Sequence, residues 1–326
     1  MSIIEFKRES QRQAETSEPQ RHAVRRSGPE LLRIISSAGI VWFHALAPGE
    51  VKAAGASWAY GGLPALMAIS VAFSTVPTEA NAWRIAAKRF SRLMEPWIFW
   101  SAIYLLAIIA RSITAPDLPT PWRAYMLLTG PAIHLWYLPF AWVMTTLISL
   151  LFASRVLQPD HNSNFLWLVA YGVVFVAASA AMATGFSVVP VVQWIFVIPS
   201  VILGVFIGSM AHGRRRMKVV LVMLGVTLAV AGFCVATRIP ALVRPYLAGT
   251  LILTVASMMQ RPASRSLLSV SRLSLGVYLI HPLFYAVFAH MAGLKCQPEL
   301  TATVVILLSF ATTAMLVRMP WISRFV

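Results

Sequence analysis

Acidic residues are scarce in this chain: 11 Asp and Glu stand against 27 Lys and Arg. None lies within the apolar interior of a hydrophobic run; Glu30 and Glu95 sit at the edges of two. A buried ion-coupled transporter usually keeps at least one carboxylate in the hydrocarbon region, so that class is disfavoured. The chain has no Gly-rich phosphate loop and no Cys/His spacing suited to a metal, which argues against P-loop chemistry and a zinc site. Its two cysteines, Cys234 and Cys296, read as packing residues; a disulfide stays open only if both lie near the outer face. No Gly/Ser-rich linker marks off a second soluble domain.

What is abundant settles the class. The chain is 58% hydrophobic and only 12% charged, a balance that soluble domains of 326 residues do not carry. A net charge of +16 in a soluble protein would point to nucleic acid. Here the cations fall between long apolar runs, so their partners are lipid headgroups and the membrane potential, with no nucleic acid.

Residues 1–29 are polar and basic, with Lys7, Arg8, Arg12, Arg21, Arg25 and Arg26 and no apolar core. They are expected to form a disordered cytosolic tail rather than a signal peptide, leaving 30–326 as one membrane domain. Ten apolar runs follow, near 30–47, 56–75, 94–113, 132–153, 164–183, 189–210, 217–236, 241–259, 274–292 and 299–318. A cytosolic amino terminus places all but Lys52, Arg111, Arg123, Arg238, Arg244 and Lys295 of the 27 cations on the inner side. The RRRMK segment at 214–218 contributes to that bias. The expected protein is therefore all-α and polytopic, with about ten transmembrane helices, both termini cytosolic, in the plasma (inner) membrane.

Within the first run, Arg33 and His44 are eleven residues apart. Eleven helical steps make about three turns, so both side chains share a face and lie about 16 Å apart along the axis. His44 near the outer end reads either as a histidine hydrogen-bonded to a neighbouring helix or as a general base poised near neutrality. Arg33 reads either as a snorkelling anchor or as a guanidinium held for a phosphate. Glu30, three residues before it, is spaced to pair with it. If both residues serve one site, they should open into one continuous cavity.

Three further segments carry chemistry. Lys88, Arg89 and Arg92 precede the third run and form either a topological loop or a clamp for a phosphorylated cytosolic molecule. His134-Leu135-Trp136-Tyr137-Leu138 opens the fourth run, as an acceptor-site lining or as part of the interfacial aromatic belt. Tyr278-Leu279-Ile280-His281-Pro282 lies in the ninth, where proline loosens the backbone ladder and can open a cavity. His290 lacks such company and reads as a surface residue.

Taken together, these motifs resemble the acyltransferase-three family of integral membrane O-acyltransferases, which modify bacterial surface carbohydrates. The resemblance rests on Glu30-Leu31-Leu32-Arg33 followed by His44, on KRFSRLMEPWIFWSAIY from Lys88 to Tyr104, on His134 to Leu138, and on Ser274-x-x-x-Tyr278-x-x-His281-Pro282. Glu30 stands where Asp is commoner, and Glu95 where an apolar residue usually precedes the proline. The resemblance implies transfer of an acyl group, most simply acetyl, from acyl-CoA to a hydroxyl of a cell-surface carbohydrate or lipid-linked sugar. It implies CoA binding by Lys88, Arg89 and Arg92, and steering of the phosphates or pantetheine arm by Arg33 beside Glu30. His44 would then be the base or a covalent acyl carrier, with His134, Trp136, Tyr278 and His281 lining the acceptor side. Acetyl-CoA enters as a substrate, no metal is expected, and polysaccharide-assembly proteins are candidate partners. The rival reading is a transporter or flippase for a glycolipid or polysaccharide, which explains the helices but not the ordered motifs.

Overall fold

The computed structural model describes residues 25–45, 52–75, 82–114, 124–154, 156–157, 161–210, 216–239, 241–288 and 297–326. Outside them fall Lys7, Arg8, Arg12 and Arg21 of the tail, Glu50, Asp117, His290, Cys296 and, for its side chains, the RRRMK segment at 214–218. Among the described residues every regular element is helical. The order is α1 (Ser27–Phe43), α2 (Ala56–Ala59), α3 (Gly62–Ala72), α4 (Ala82–Thr114), α5 (Met126–Thr129), a 3-10 turn (Ile133–Trp136) leading into α6 (Tyr137–Ala153), and α7 (His161–Ala183). It continues with α8 (Val191–Met210), α9 (Arg216–Ala236), α10 (Val243–Met258), α11 (Arg265–Ser271), α12 (Ser274–Phe288), α13 (Pro298–Leu316) and a last 3-10 turn, Ser323–Phe325.

Each of the ten expected runs holds a helix, but they do not all have the length of a crossing. Among the described residues five stretches are long and apolar enough: Trp83–Ile113, Ile133–Ala153, Phe165–Ala183, Val191–Met210 and Pro298–Leu316. Helices α11 and α12, bent by 43°, form a sixth if taken as one span. At 17, 11 and 16 residues, α1, α3 and α10 fall short of the ~20 that a bilayer core requires. Large apolar side chains still face outward on the long helices, among them Leu106, Ile113, Phe165 and Leu307, each more than 60% exposed. An apolar surface of that kind is suited to lipid.

The short helix α3 is central. It is apolar on every side, as a helix buried all round must be, and packs against α8, α1, α10 and α6. Its approach to α8 is close because the facing positions are small. A Cβ on Gly204 would lie 2.5 Å from the Ala68 carbonyl oxygen, and one on Gly208 would lie 2.1 Å from the Thr75 hydroxyl. Without a hydrophobic driving force between helices in lipid, such small-residue contacts let the backbones approach and gain dispersion energy. Gly204→Leu should therefore force α3 and α8 apart and lower stability by about 1–3 kcal/mol or more. A thermal melt of the detergent-solubilised variant checks this; an unchanged midpoint would show that the contact tolerates repacking.

Three boundaries differ from the sequence expectation. The run at 56–75 breaks between α2 and α3 at Tyr60–Gly61. There Gly61 lies so close to α10 that a Cβ would meet the Pro245 carbonyl oxygen at 2.6 Å. In the third run, α4 starts at Ala82, so the basic segment is itself helical and Pro96 does not end the helix. Its Ala, Lys, Arg, Leu and Met residues are strong helix formers. The first helix begins at Ser27, ahead of the expected Glu30. Main-chain bonds pin its start to the turn after α10: Ser27 N–H to Arg261 O at 2.9 Å, Gly28 N–H to Met259 O at 3.1 Å and Ala263 N–H to Arg25 O at 2.9 Å.

Candidate active site

Helix α1 runs unbroken past Arg33 to Phe43, and His44 caps its carboxyl end. The two residues therefore keep the axial separation of about 16 Å read from their spacing. At the Arg33 end, Glu30 is the hub. Only 3% exposed, its carboxylate lies 2.9 Å from the Arg25 guanidinium and 3.1 Å from that of Arg33, and accepts from the Ser271 hydroxyl at 2.5 Å. A carboxylate so buried needs these partners, since burying an unpaired charge is costly. The Glu30–Arg33 pair follows from i,i+3 spacing; Arg25 and Ser271 do not, because one lies outside the helix and the other is 241 positions away.

The three cations before the third run occupy different settings. Arg92 lies within the electrostatic reach of Arg33, Arg25 and Glu30, and its side chain is exposed. Lys88 is exposed as well. Arg89 is half-buried and turned to α6, where it donates to the Thr145 carbonyl at 2.5 Å and to the Ser149 hydroxyl at 2.6 Å. The Ser149 hydroxyl in turn donates to Ser74 O at 2.9 Å. Arg89 thus ties α4 to α6 and to the end of α3.

At the other end of α1 three imidazoles converge. The His281 ring lies 5.3 Å from that of His44 and 5.3 Å from that of His134. The sequence Tyr278-x-x-His281-Pro282 explains how His281 is set. Pro282 has no N–H, so the Tyr278 carbonyl four residues back loses its helical partner. The Nδ1 atom of His281 fills that gap, 2.8 Å from Tyr278 O. With the ring proton assigned to Nδ1 by that bond, Nε2 carries the lone pair. The Tyr278 hydroxyl donates to the His134 carbonyl, holding the 3-10 turn against α12. Tyr104 packs edge-on to the His134 ring at 5.2 Å and donates to Leu279 O at 2.7 Å. His134 Nε2 itself is buried with no hydrogen-bond partner among the described residues.

A cavity of about 150 Å³ opens beside these groups. His44, His134 and Tyr278 line it, with Trp136, which is 4% exposed, and Gln193 from α8. Phe43 and Tyr60 form another wall, stacked with centroids 3.8 Å apart. His281 sits behind His44 and His134 rather than on the wall. The expectation of one continuous cavity from Arg33 to His44 is not met by this chamber: Arg33 is not among its lining residues and is held by Glu30. The intervening face of α1 is filled by packing, with Ser36, Ser37 and Ile40 each at most 2% exposed.

Residues 52–54 lie beside the carboxyl end of α1, where the Ala53 N–H meets Ala45 O at 3.4 Å. Trp42 Nε1 donates to Ala54 O at 2.9 Å, and Ala54 N–H donates to Glu299 at 2.8 Å. The Lys52 ammonium lies 3.9 Å from the centroid of the Phe43 ring. Partial loss of hydration holds the Lys52 ammonium below the ordinary lysine range. Sequence reasoning missed Tyr60, Lys52 and Gln193, each a lone residue outside any motif. Of the cysteines, Cys234 is buried in the packed core. Among the described residues no group of three His, Cys, Asp or Glu side chains is arranged to hold a metal ion.

Among the described residues, helices with apolar outer surfaces around an imidazole-lined chamber point to a multi-pass membrane protein. The model of a family described as an acyltransferase domain matches residues 26–318, from the start of α1 to just past α13. The chain belongs to that family, the acyltransferase-three family, and is a membrane acyltransferase. Neither the curated proteins nor the solved structures provide a match.

Proposed function

We propose that this protein is an acyl-CoA-dependent O-acyltransferase of the inner membrane, moving an acetyl group to a hydroxyl of a cell-surface carbohydrate or a lipid-linked sugar. The observation that carries this reading is the chamber in which His44 and His134 face one another's space, with His281 fixed behind them. An alcohol is a poor nucleophile at neutral pH until its proton is accepted, and imidazole is suited to accept it. In the step we assign, the acceptor oxygen attacks the thioester carbonyl carbon and His44 takes the hydroxyl proton. The new C–O bond forms, the C–S bond breaks, and the proton passes to the departing CoA sulfur.

The donor's charged end is assigned to the opposite end of α1. Arg25, Arg33 and Arg92 carry three positive charges against the single carboxylate of Glu30, an excess that suits phosphate. With the amino terminus cytosolic, that end meets soluble acyl-CoA and the chamber lies toward the outer leaflet. The face of α1 between Arg33 and the chamber is packed, so a pantetheine arm joining the two has to pass beside Ser36, Ser37 and Ile40 or displace them.

Purified protein in lipid vesicles, given acetyl-CoA and the de-O-acetylated surface glycan fraction, should release free thiol and label the glycan. No thiol release above empty vesicles would overturn the reading in favour of a transporter. Two variants divide the roles of the basic segment. Arg92→Ala should raise the KM for acetyl-CoA about tenfold, the loss of one charge-assisted contact of about 1.5–3 kcal/mol. Lys at that position should rescue it only in part, because an ammonium lacks the planar fork. Arg89→Ala should instead lower the melting temperature, since its bonds to Thr145 and Ser149 join α4 to α6. A raised KM with unchanged stability for Arg89→Ala would place its guanidinium on the donor.

A further inference from the structure

Gln193 stands on the first turn of α8 and lines the chamber beside His44 and His134. Its Oε1 atom is buried and has no hydrogen-bond partner among the described residues. His134 Nε2, on the same wall and in a residue 6% exposed, is likewise without one. Two such atoms lining one small chamber are unusual, because buried polar atoms are nearly always paired. The Tyr60 hydroxyl and the Trp136 indole N–H are donors on the same wall, but among the described residues neither bonds to these two atoms. The Tyr278 hydroxyl is already engaged with the His134 carbonyl.

Gln193 Oε1 has lone pairs only and accepts, and His134 Nε2 accepts in the tautomer whose proton sits on Nδ1. A ligand that satisfies them must therefore bring hydrogen-bond donors. The pantetheine arm brings two amide N–H groups and one hydroxyl spread along an extended chain, whereas a sugar ring brings several hydroxyls close together. We propose that Gln193, together with His134 Nε2, positions the acceptor by receiving hydrogen bonds from hydroxyls flanking the one that His44 deprotonates, so that Gln193 is a specificity-determining residue for a polyhydroxylated acceptor. The inference rests on the acyltransferase reading above and adds to it which side of the reaction this wall serves. It also follows that a simple monohydric alcohol is a poor acceptor, because it leaves one of the two atoms unpaired. A site built around such bonds rejects analogues that lack the hydroxyl.

The test uses full-length protein in vesicles with labelled acetyl-CoA and de-O-acetylated surface glycan extracted from cells lacking the protein. Gln193→Leu should raise the glycan concentration for half-maximal transfer tenfold or more, with the acetyl-CoA KM changed by less than twofold. Gln193→Glu retains an acceptor oxygen and should recover part of that loss. Gln193→Met, nearly isosteric, repeats the test should the leucine variant melt early. A glycan dependence equal to the parent's in a well-folded Met or Leu variant would overturn the proposal. So would a rise confined to the acetyl-CoA KM, which would turn this wall toward the donor. Parent protein that labels no glycan would instead bring down the acyltransferase reading itself, and this inference with it, before any variant is compared.

Discussion

Acyl transfer by His44→Ala is expected to fall by about 10²–10⁴-fold, the range that a positioned general base supplies. The imidazole sits at the C-cap of α1 and lines the chamber, and among the described residues no carboxylate hydrogen-bonds to it. Its loss should leave the helix itself intact, because the cap bond is made by the main-chain N–H of residue 44 to Val41 O at 3.0 Å. Expression and melting temperature should therefore stay near those of the parent while thiol release is lost. His281→Ala should act differently. That ring is 1% exposed and satisfies the carbonyl that Pro282 leaves open, so its removal costs stability as well as rate. Near-normal transfer by a well-folded His44→Ala protein would remove His44 from the chemistry and shift attention to His134, the other imidazole on the same wall.

The legible part of this protein was the part written in local patterns. Apolar runs located the helices, and the Glu30–Arg33–His44 spacing placed a salt bridge and an imidazole on one unbroken helix. His134, Trp136 and Tyr278 do meet His44 around one chamber. What could not be read was decided by packing between distant segments. Arg89 and Arg92 look alike in sequence, and only the fold of α6 against α4 separates a tied guanidinium from an exposed one. Gln193 carries no motif; it matters because α8 crosses α3 closely enough to bring its first turn to the chamber. Helix length was also misleading. A run such as 56–75 has the composition of a crossing, yet its helical part spans only Ala56–Ala72, with a turn at Tyr60–Gly61.

Glu30 offers the second large effect, because it decides what Arg33 is for. The carboxylate is buried, yet its cationic partners are partly wet, with side chains 42% exposed for Arg25 and 28% for Arg33. Removing one member of a fully buried ion pair costs about 3–5 kcal/mol. Water around the two arginines discounts that here, so Glu30→Ala should lower stability by about 2 kcal/mol. Part of the loss comes from the Ser271 hydroxyl, which ties α11 to α1 through the same carboxylate. Stability alone would not distinguish an anchor from a donor site. If Arg33 merely snorkels, Glu30→Gln should lower the melting temperature and leave the acetyl-CoA KM alone. If Glu30 holds the guanidinium in place for a phosphate, the same variant should raise that KM by about tenfold. The increase should shrink at high salt, where screening weakens the parent's own donor binding. The second result is the one expected, since Arg25, Arg33 and Arg92 gather at one end of α1 around the Glu30 carboxylate, which among the described residues pairs with Arg25 and Arg33. An unchanged acetyl-CoA KM in Glu30→Gln, alongside a raised one in Arg92→Ala, would leave the donor to α4 and reduce Glu30 and Arg33 to the fastening of α1.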